Sequence, residues 1–93
     1  MIRSFAGRET ELVWRGVRSR RLPAEMQRVA LRKLVMIAAA GRIEDLRVPP
    51  GNRLEALRGD REGQWSIRVN DQWRICFRWE NGDAWNVEIC DYH

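Results

Sequence analysis

The chain has 93 residues, a net charge of +4 and a pI near 10.0, with 44% hydrophobic and 32% charged side chains. That balance excludes a disordered chain and fits a single domain, 1–93, near the lower size limit for an unstapled core. No apolar run approaches the ~20 residues of a membrane span, and "MIRSFAGRETEL" has no signal-peptide pattern, so a cytoplasmic protein with no membrane partner is expected.

Ile2-Arg3-Ser4-Phe5 alternates apolar and polar and reads as a short strand. Arg8 to Arg15 reads as a short helix carrying Leu12, Val13 and Trp14, stopped by Gly16. A basic link, "GVRSRRL", leads to the strongest helical pattern, opened by Pro23. Met26, Val29, Ala30, Leu34, Ile37 and Ala38 recur there at three- and four-residue steps as far as Ala40, leaving Arg28, Arg32 and Lys33 off the apolar stripe. "RIEDLRVPPGN" reads as a loop with one helical turn, and strands follow near 53–57, 64–70, 73–79 and 84–91. The order predicts an α+β domain in which an N-terminal strand and two helices pack on one face of an antiparallel sheet.

In the last three strands Trp65/Ile67/Val69, Trp73/Ile75/Phe77/Trp79 and Trp85/Val87/Ile89 form one apolar face. A three-residue loop at Asn70-Asp71-Gln72 pairs Ile67 with Ile75. The same loop length at Glu80-Asn81-Gly82 pairs Ile75 with Val87, whereas a two-residue loop sets Ile75 against Glu88. The longer loop therefore predicts a polar, open face on which Arg74 lies between Arg68 and Glu88. Two arginines directly opposite each other are unfavourable unless an anion joins them. Tyr92 has the parity of Cys90, so the terminal strand carries Tyr92 and His93 towards that row.

If the anion is an RNA phosphate, Arg74 and Arg68 suit stabilisation of the charge that develops during cleavage. His93, the chain's only histidine, suits proton transfer near neutral pH, and Tyr92 suits positioning the scissile group or stacking on a base. Arg58, before a Gly-Asp turn, reaches the same groove as a fixed cation. Two cysteines, one histidine and no Cys-x-x-Cys give neither a disulfide framework nor a zinc site, so no metal or cofactor is expected. Cys76 reads as a structural thiol. A solvated sheet face that merely carries arginines is the plain alternative.

"LRGDREGQWSIRVNDQWRICFRWENGDAWNVEICDYH", with the Pro23 helix and the "MIRSF" start, resembles the HigB toxins of bacterial toxin–antitoxin pairs, within the RelE-like superfamily of small ribonucleases. The resemblance spans the chain and implies a small RelE-like microbial ribonuclease fold. It implies a metal-independent enzyme that cuts mRNA in the ribosomal A site, leaving a 2′,3′-cyclic phosphate and a 5′-hydroxyl. Its implied partners are the 70S ribosome with A-site mRNA and a HigA-type helix-turn-helix antitoxin, through which alone it would meet operator DNA. Carried over by position, the family's catalytic set is Arg58, Arg74, Asp91, Tyr92 and His93. Some relatives have lysine at the place of Arg58 and histidine at that of Glu55, so proton transfer here falls more heavily on His93, with Asp91 setting its orientation. Either Tyr92 or His93 fits the acid or the base role. Arg68, from strand parity, joins Arg61 and Arg78 as expected phosphate contacts. Arg15, Arg18, Arg20, Arg21, Arg28, Arg32 and Lys33 then form basic faces suited to ribosomal RNA. Two other readings stand beside this one: a non-catalytic module that binds nucleic acid and antitoxin in operon co-regulation, and a free-standing ribonuclease.

Overall fold

The computed structural model describes residues 1–91. Two helices, α1 (Arg8–Trp14) and α2 (Ala24–Ala39), precede a four-stranded antiparallel sheet: β1 (Glu55–Ala56), β2 (Gln64–Arg68), β3 (Trp73–Glu80) and β4 (Asp83–Asp91). Short 3₁₀ turns at Ile43–Arg47 and Pro50–Asn52 join α2 to the sheet, and a third at Gly59–Arg61 links β1 to β2. Glu9 and Glu11 favour the start of α1 by facing its positive end. Gly16, at φ +77°, closes the helix, with the Gly16 and Val17 N–H groups donating to Val13 and Leu12.

Met26, Ala30, Leu34 and Ile37 of α2 are buried against Ile67, Ile75, Phe77, Val87 and Ile89 of the sheet. The helices thus cover one sheet face, as the apolar alternation predicts. Residues 2–5 run beside β4 through isolated parallel bridges, Ile2 to Ala84 and Phe5 to Val87, and satisfy the outer edge of that strand. Thr10 extends this cover, its hydroxyl accepting the Ile89 N–H at 2.9 Å. The expected strand at 53–57 shortens to Glu55–Ala56, since Arg53 lies in the left-handed region at φ 46° and Leu54 follows outside the ladder. Lys33, expected on the solvated side, is buried, and its ammonium donates to the Asn52 side chain.

The β2–β3 register is the expected one, with Ile67 opposite Ile75 and Arg68 opposite Arg74. The β3–β4 hairpin departs from expectation. Its loop is two residues, Asn81-Gly82, with Glu80 opposite Asp83 and both loop residues at positive φ (+53° and +78°). Asn-Gly is the pair that a type I′ turn favours. A bulge at Asn86 (φ +54°) then adds one residue to β4, so Ile75 meets Ile89, neither Val87 nor Glu88. It also reverses the phase before it: Ala84 enters the core and Trp85, expected inside, stands 39% exposed on the other face.

Phe77 is fully buried at the centre of the sheet–helix contact. Phe77→Ala is expected to destabilise the domain by about 4 kcal/mol in urea unfolding, a core-cavity effect, with the m-value unchanged.

Candidate active site

The second sheet face carries Ser66 and Arg68 from β2, Arg74, Cys76 and Arg78 from β3, and Trp85, Glu88 and Cys90 from β4. It is not the open surface that alternation alone predicts. Ser66, Arg74, Cys76 and Cys90 are buried, and the segment from Asn52 to Arg61, paired beside β2 through Glu55–Ala56, walls this face. Arg74 Nε donates to Ser66 Oγ at 2.8 Å, and Arg74 Nη2 donates to the Arg53 carbonyl at 2.7 Å. Arg53 turns its carbonyl that way from its left-handed conformation. Behind it, the fully buried Asn52 accepts from Lys33 and donates to the Leu46 and Val48 carbonyls, fixing the turn in place. Burial, followed by the charges of Arg32 and Arg68, lowers the Lys33 pKa.

The register correction moves the partners of Arg74. Cys90, rather than Glu88, lies across from it, and Glu88 lies across from Cys76. Glu88 instead pairs with Arg61 at 3.3 Å, while Arg61 also holds Gln64 at 3.0 Å. The result is an open cleft of about 680 Å³ lined by Glu55, Arg58, Asp60, Arg61, Cys76, Cys90 and Asp91. Asp91 receives the Gln72 side-chain amide at 3.1 Å.

Of the residues expected from sequence, Arg58, Arg61 and Asp91 line this cleft, and Arg74 is buried outside its lining, across from Cys90, which does line it. Arg68 is drawn to the β2–β3 turn, where it forms an ion pair with Asp71, and Arg78 is exposed towards the Gly63 turn. Neither lines the cleft. Tyr92 and His93 lie outside the described residues. Among the described residues no cluster of three potential metal ligands occurs, and no helix is long and apolar enough to cross a membrane.

Sequence reasoning missed that Cys76 and Cys90 form a pair. Both are free thiols, and the cleft floor brings them together. The hydrogen bond from Cys90, then, against burial, the Arg61 and Arg74 guanidiniums, pull the Cys76 thiol below its usual range. Its hydrogen bond with Cys76, then burial, pushes the Cys90 thiol up. In the expected register, two residues out at this point, Cys76 lies across from Asn86, so the signal is present only in the observed pairing.

A family model described as the RelE-like toxin of the type II toxin–antitoxin system HigB matches residues 10–93. The chain belongs to this HigB toxin family. Among relatives, Toxin HigB-1 of Vibrio cholerae serotype O1 is 46% identical over 72 residues, covering 77% of this chain and 76% of that one. Endoribonuclease HigB of Proteus vulgaris is 54% identical over 41 residues, 44% of this chain and 45% of its own. The YoeB–YefM complex from Staphylococcus aureus contains a chain of the same fold, with TM-score 0.62 at 14% identity, covering 100% of this chain and 98% of that one.

The Asn52 clamp carries a stability prediction. Asn52→Ala removes four hydrogen bonds, the weakest of them to the Met36 sulfur, and leaves the Lys33 ammonium buried without its amide partner. A loss of about 3 kcal/mol in chemical denaturation is expected, against less than about 1 kcal/mol for an exposed control such as Arg47→Ala.

Proposed function

We propose that this chain is the endoribonuclease toxin of a type II toxin–antitoxin pair, cutting mRNA in the ribosomal A site without a metal. The observation that carries the reading is the cleft lined by Arg58, Arg61 and Asp91, with the clamped Arg74 next to it on the strand, across from the cleft-lining Cys90. Guanidiniums fixed by hydrogen bonds before substrate arrives need no reorganisation as negative charge develops on a phosphate, which is what makes such stabilisation effective. The chain runs on from Asp91 into Tyr92 and His93, the only phenol and imidazole in the molecule.

In the proposed reaction a base removes the proton of a ribose 2′-hydroxyl and that oxygen attacks the adjacent phosphorus. The phosphorus–5′-oxygen bond breaks, and an acid protonates the departing oxygen. The products are a 2′,3′-cyclic phosphate and a 5′-hydroxyl. His93 and Tyr92 divide the two proton transfers, Asp91 orients the imidazole, and Arg74 with Arg61 and Arg58 offsets the phosphorane charge. Arg68 and Arg78, away from the cleft wall, meet phosphates of the flanking message.

All the cations among the described cleft residues are guanidiniums, which do not take up protons at neutral pH. The acid–base set is therefore sparse, and an ordered message on the 70S ribosome completes it. The partner that restrains the toxin is a HigA-type helix-turn-helix antitoxin, which also provides the link to operator DNA.

Primer extension on translated mRNA tests this. His93→Gln is expected to lower cleavage by at least about 100-fold, and Arg74→Ala by about 100- to 1000-fold. RNA binding retained by a wild-type chain that never cuts would favour a non-catalytic operon co-regulator instead. Chelation by EDTA, applied at a Mg²⁺ level that keeps ribosomes assembled, should leave the rate unchanged. Efficient cutting of purified RNA without ribosomes would defeat the ribosome requirement.

A further inference from the structure

The chain has five tryptophans, and four of them, Trp14, Trp65, Trp73 and Trp79, pack against the core. Trp85 does not. It stands 39% exposed on the cleft side of the sheet, directly across from Arg78, which in turn is across from Gln64. Tryptophan is highly buried on average, and Trp85 is the one indole of the five that does not pack against the core. The Asn81-Gly82 turn sets that phase, and the bulge that follows holds Asn86, a non-glycine residue, at φ +54°, a conformation that persists where surrounding structure enforces it. Ser4 enforces it here, its hydroxyl accepting the Asn86 N–H at 2.8 Å. Without the bulge Val87 and Ile89 would share the phase of Trp85 and leave the core, so the bulge is what lets β4 bury them while the indole stays outside.

The surroundings specify a ligand. Arg78 leans away from the indole, its Nη1 lying 3.2 Å from the place a Cβ on Gly63 would occupy, so it flanks the ring rather than covering it from the Gly63 side. The nearest acidic side chains on β4 are engaged: Asp83 by Arg3 and the N-terminal ammonium, Glu88 by Arg61. The row formed by Arg78 and Trp85 lies two residues along β3 from Cys76 on the cleft floor, about 7 Å at strand spacing. An aromatic face beside an arginine, next to a basic cleft, is the arrangement that takes a nucleobase by stacking and its phosphate by charge.

We propose that Trp85 is a base-stacking subsite that receives a nucleobase flanking the scissile step, with Arg78 on the adjoining phosphate. The inference rests on the reading of the cleft as an RNA site and adds to it a second point of grip outside the cleft. Stacking is tolerant of base identity, so the subsite sets register and affinity more than sequence preference.

The test uses the full chain and a short fluorescein-labelled single-stranded RNA, followed by anisotropy at low salt. Trp85→Ala is expected to weaken binding about tenfold or more, and Trp85→Phe to restore most of it. An RNA of the same length carrying abasic sites should bind wild type and Trp85→Ala alike. On programmed ribosomes Trp85→Ala should raise the half-saturating concentration while leaving the maximal cleavage rate within about twofold, as for a uniform binding contact. Equal RNA affinity of Trp85→Ala and wild type, with Arg61→Ala weakened, would overturn the inference and leave the cleft reading intact. So would a Trp85→Ala defect confined to antitoxin binding. A folded wild type that neither binds nor cuts RNA would remove both. Unchanged thermal melting of Trp85→Ala separates the binding effect from misfolding.

Discussion

Everything on the cleft side of the sheet depends on one residue of slack in β4. The Asn81-Gly82 turn fixes Glu80 opposite Asp83. Continued without interruption, that register would carry Val87 and Ile89 out of the core. Each is buried now, and each would forfeit about 1.5–3 kcal/mol if exposed. Holding Asn86 in a left-handed conformation costs about 1–2 kcal/mol, less than the two side chains together, so burial decides and the bulge forms. Its position sets Cys90 beside Arg74 and Glu88 within reach of Arg61, while the turn before it keeps Trp85 outside.

Arg74 is the second constraint. A buried guanidinium is tolerated only when its donors are matched, and Ser66 and the Arg53 carbonyl supply two of those matches. That carbonyl is in place because Arg53 occupies a left-handed conformation directly after Asn52. Asn52 in turn is held by Lys33 from α2. A helix on one side of the sheet thus determines where an arginine points on the other. This rigidity is what the proposed electrostatic role requires, since a cation that had to reorient during reaction would return much of its benefit.

How far the sequence reaches can be seen residue by residue. Helix ends, strand positions and the β2–β3 register follow from periodicity and turn chemistry, because those signals are local. The β3–β4 hairpin was misread because a clean apolar alternation through Trp85, Val87 and Ile89 outweighed the Asn-Gly turn signal. A bulge breaks alternation without announcing itself, and Ala84 is small enough to be overlooked as the core residue. Lys33 looked solvated because its partner, Asn52, lies 19 residues away. The cover over Arg74 was illegible for the same reason: where a loop lies depends on long-range hydrogen bonds, not on its own period. Of the candidate site, Arg58, Arg61 and Asp91 were found together, Arg68 and Arg78 were drawn elsewhere, and Tyr92 and His93 fall outside the described residues.

The division of labour in the cleft follows from the side chains available. Guanidiniums supply charge that does not vary with pH and geometry that does not relax, but they move no protons. The hydrogen bond with Cys76 and burial both push the Cys90 thiol up, so it is poorly placed as an acid for a leaving alkoxide. In the proposed reading proton transfer therefore converges on the two residues after Asp91. A single imidazole and a phenol give modest acid–base power, while alignment of a 2′-oxygen with its own phosphorus is worth far more, up to about 7–11 kcal/mol in well-oriented intramolecular reactions. A chain so rich in fixed cations and so poor in titrating groups gains most from a substrate that arrives already aligned. In the proposed reading, message held in the decoding site would supply that alignment from outside, and dependence on the ribosome would then be a consequence of the side-chain inventory.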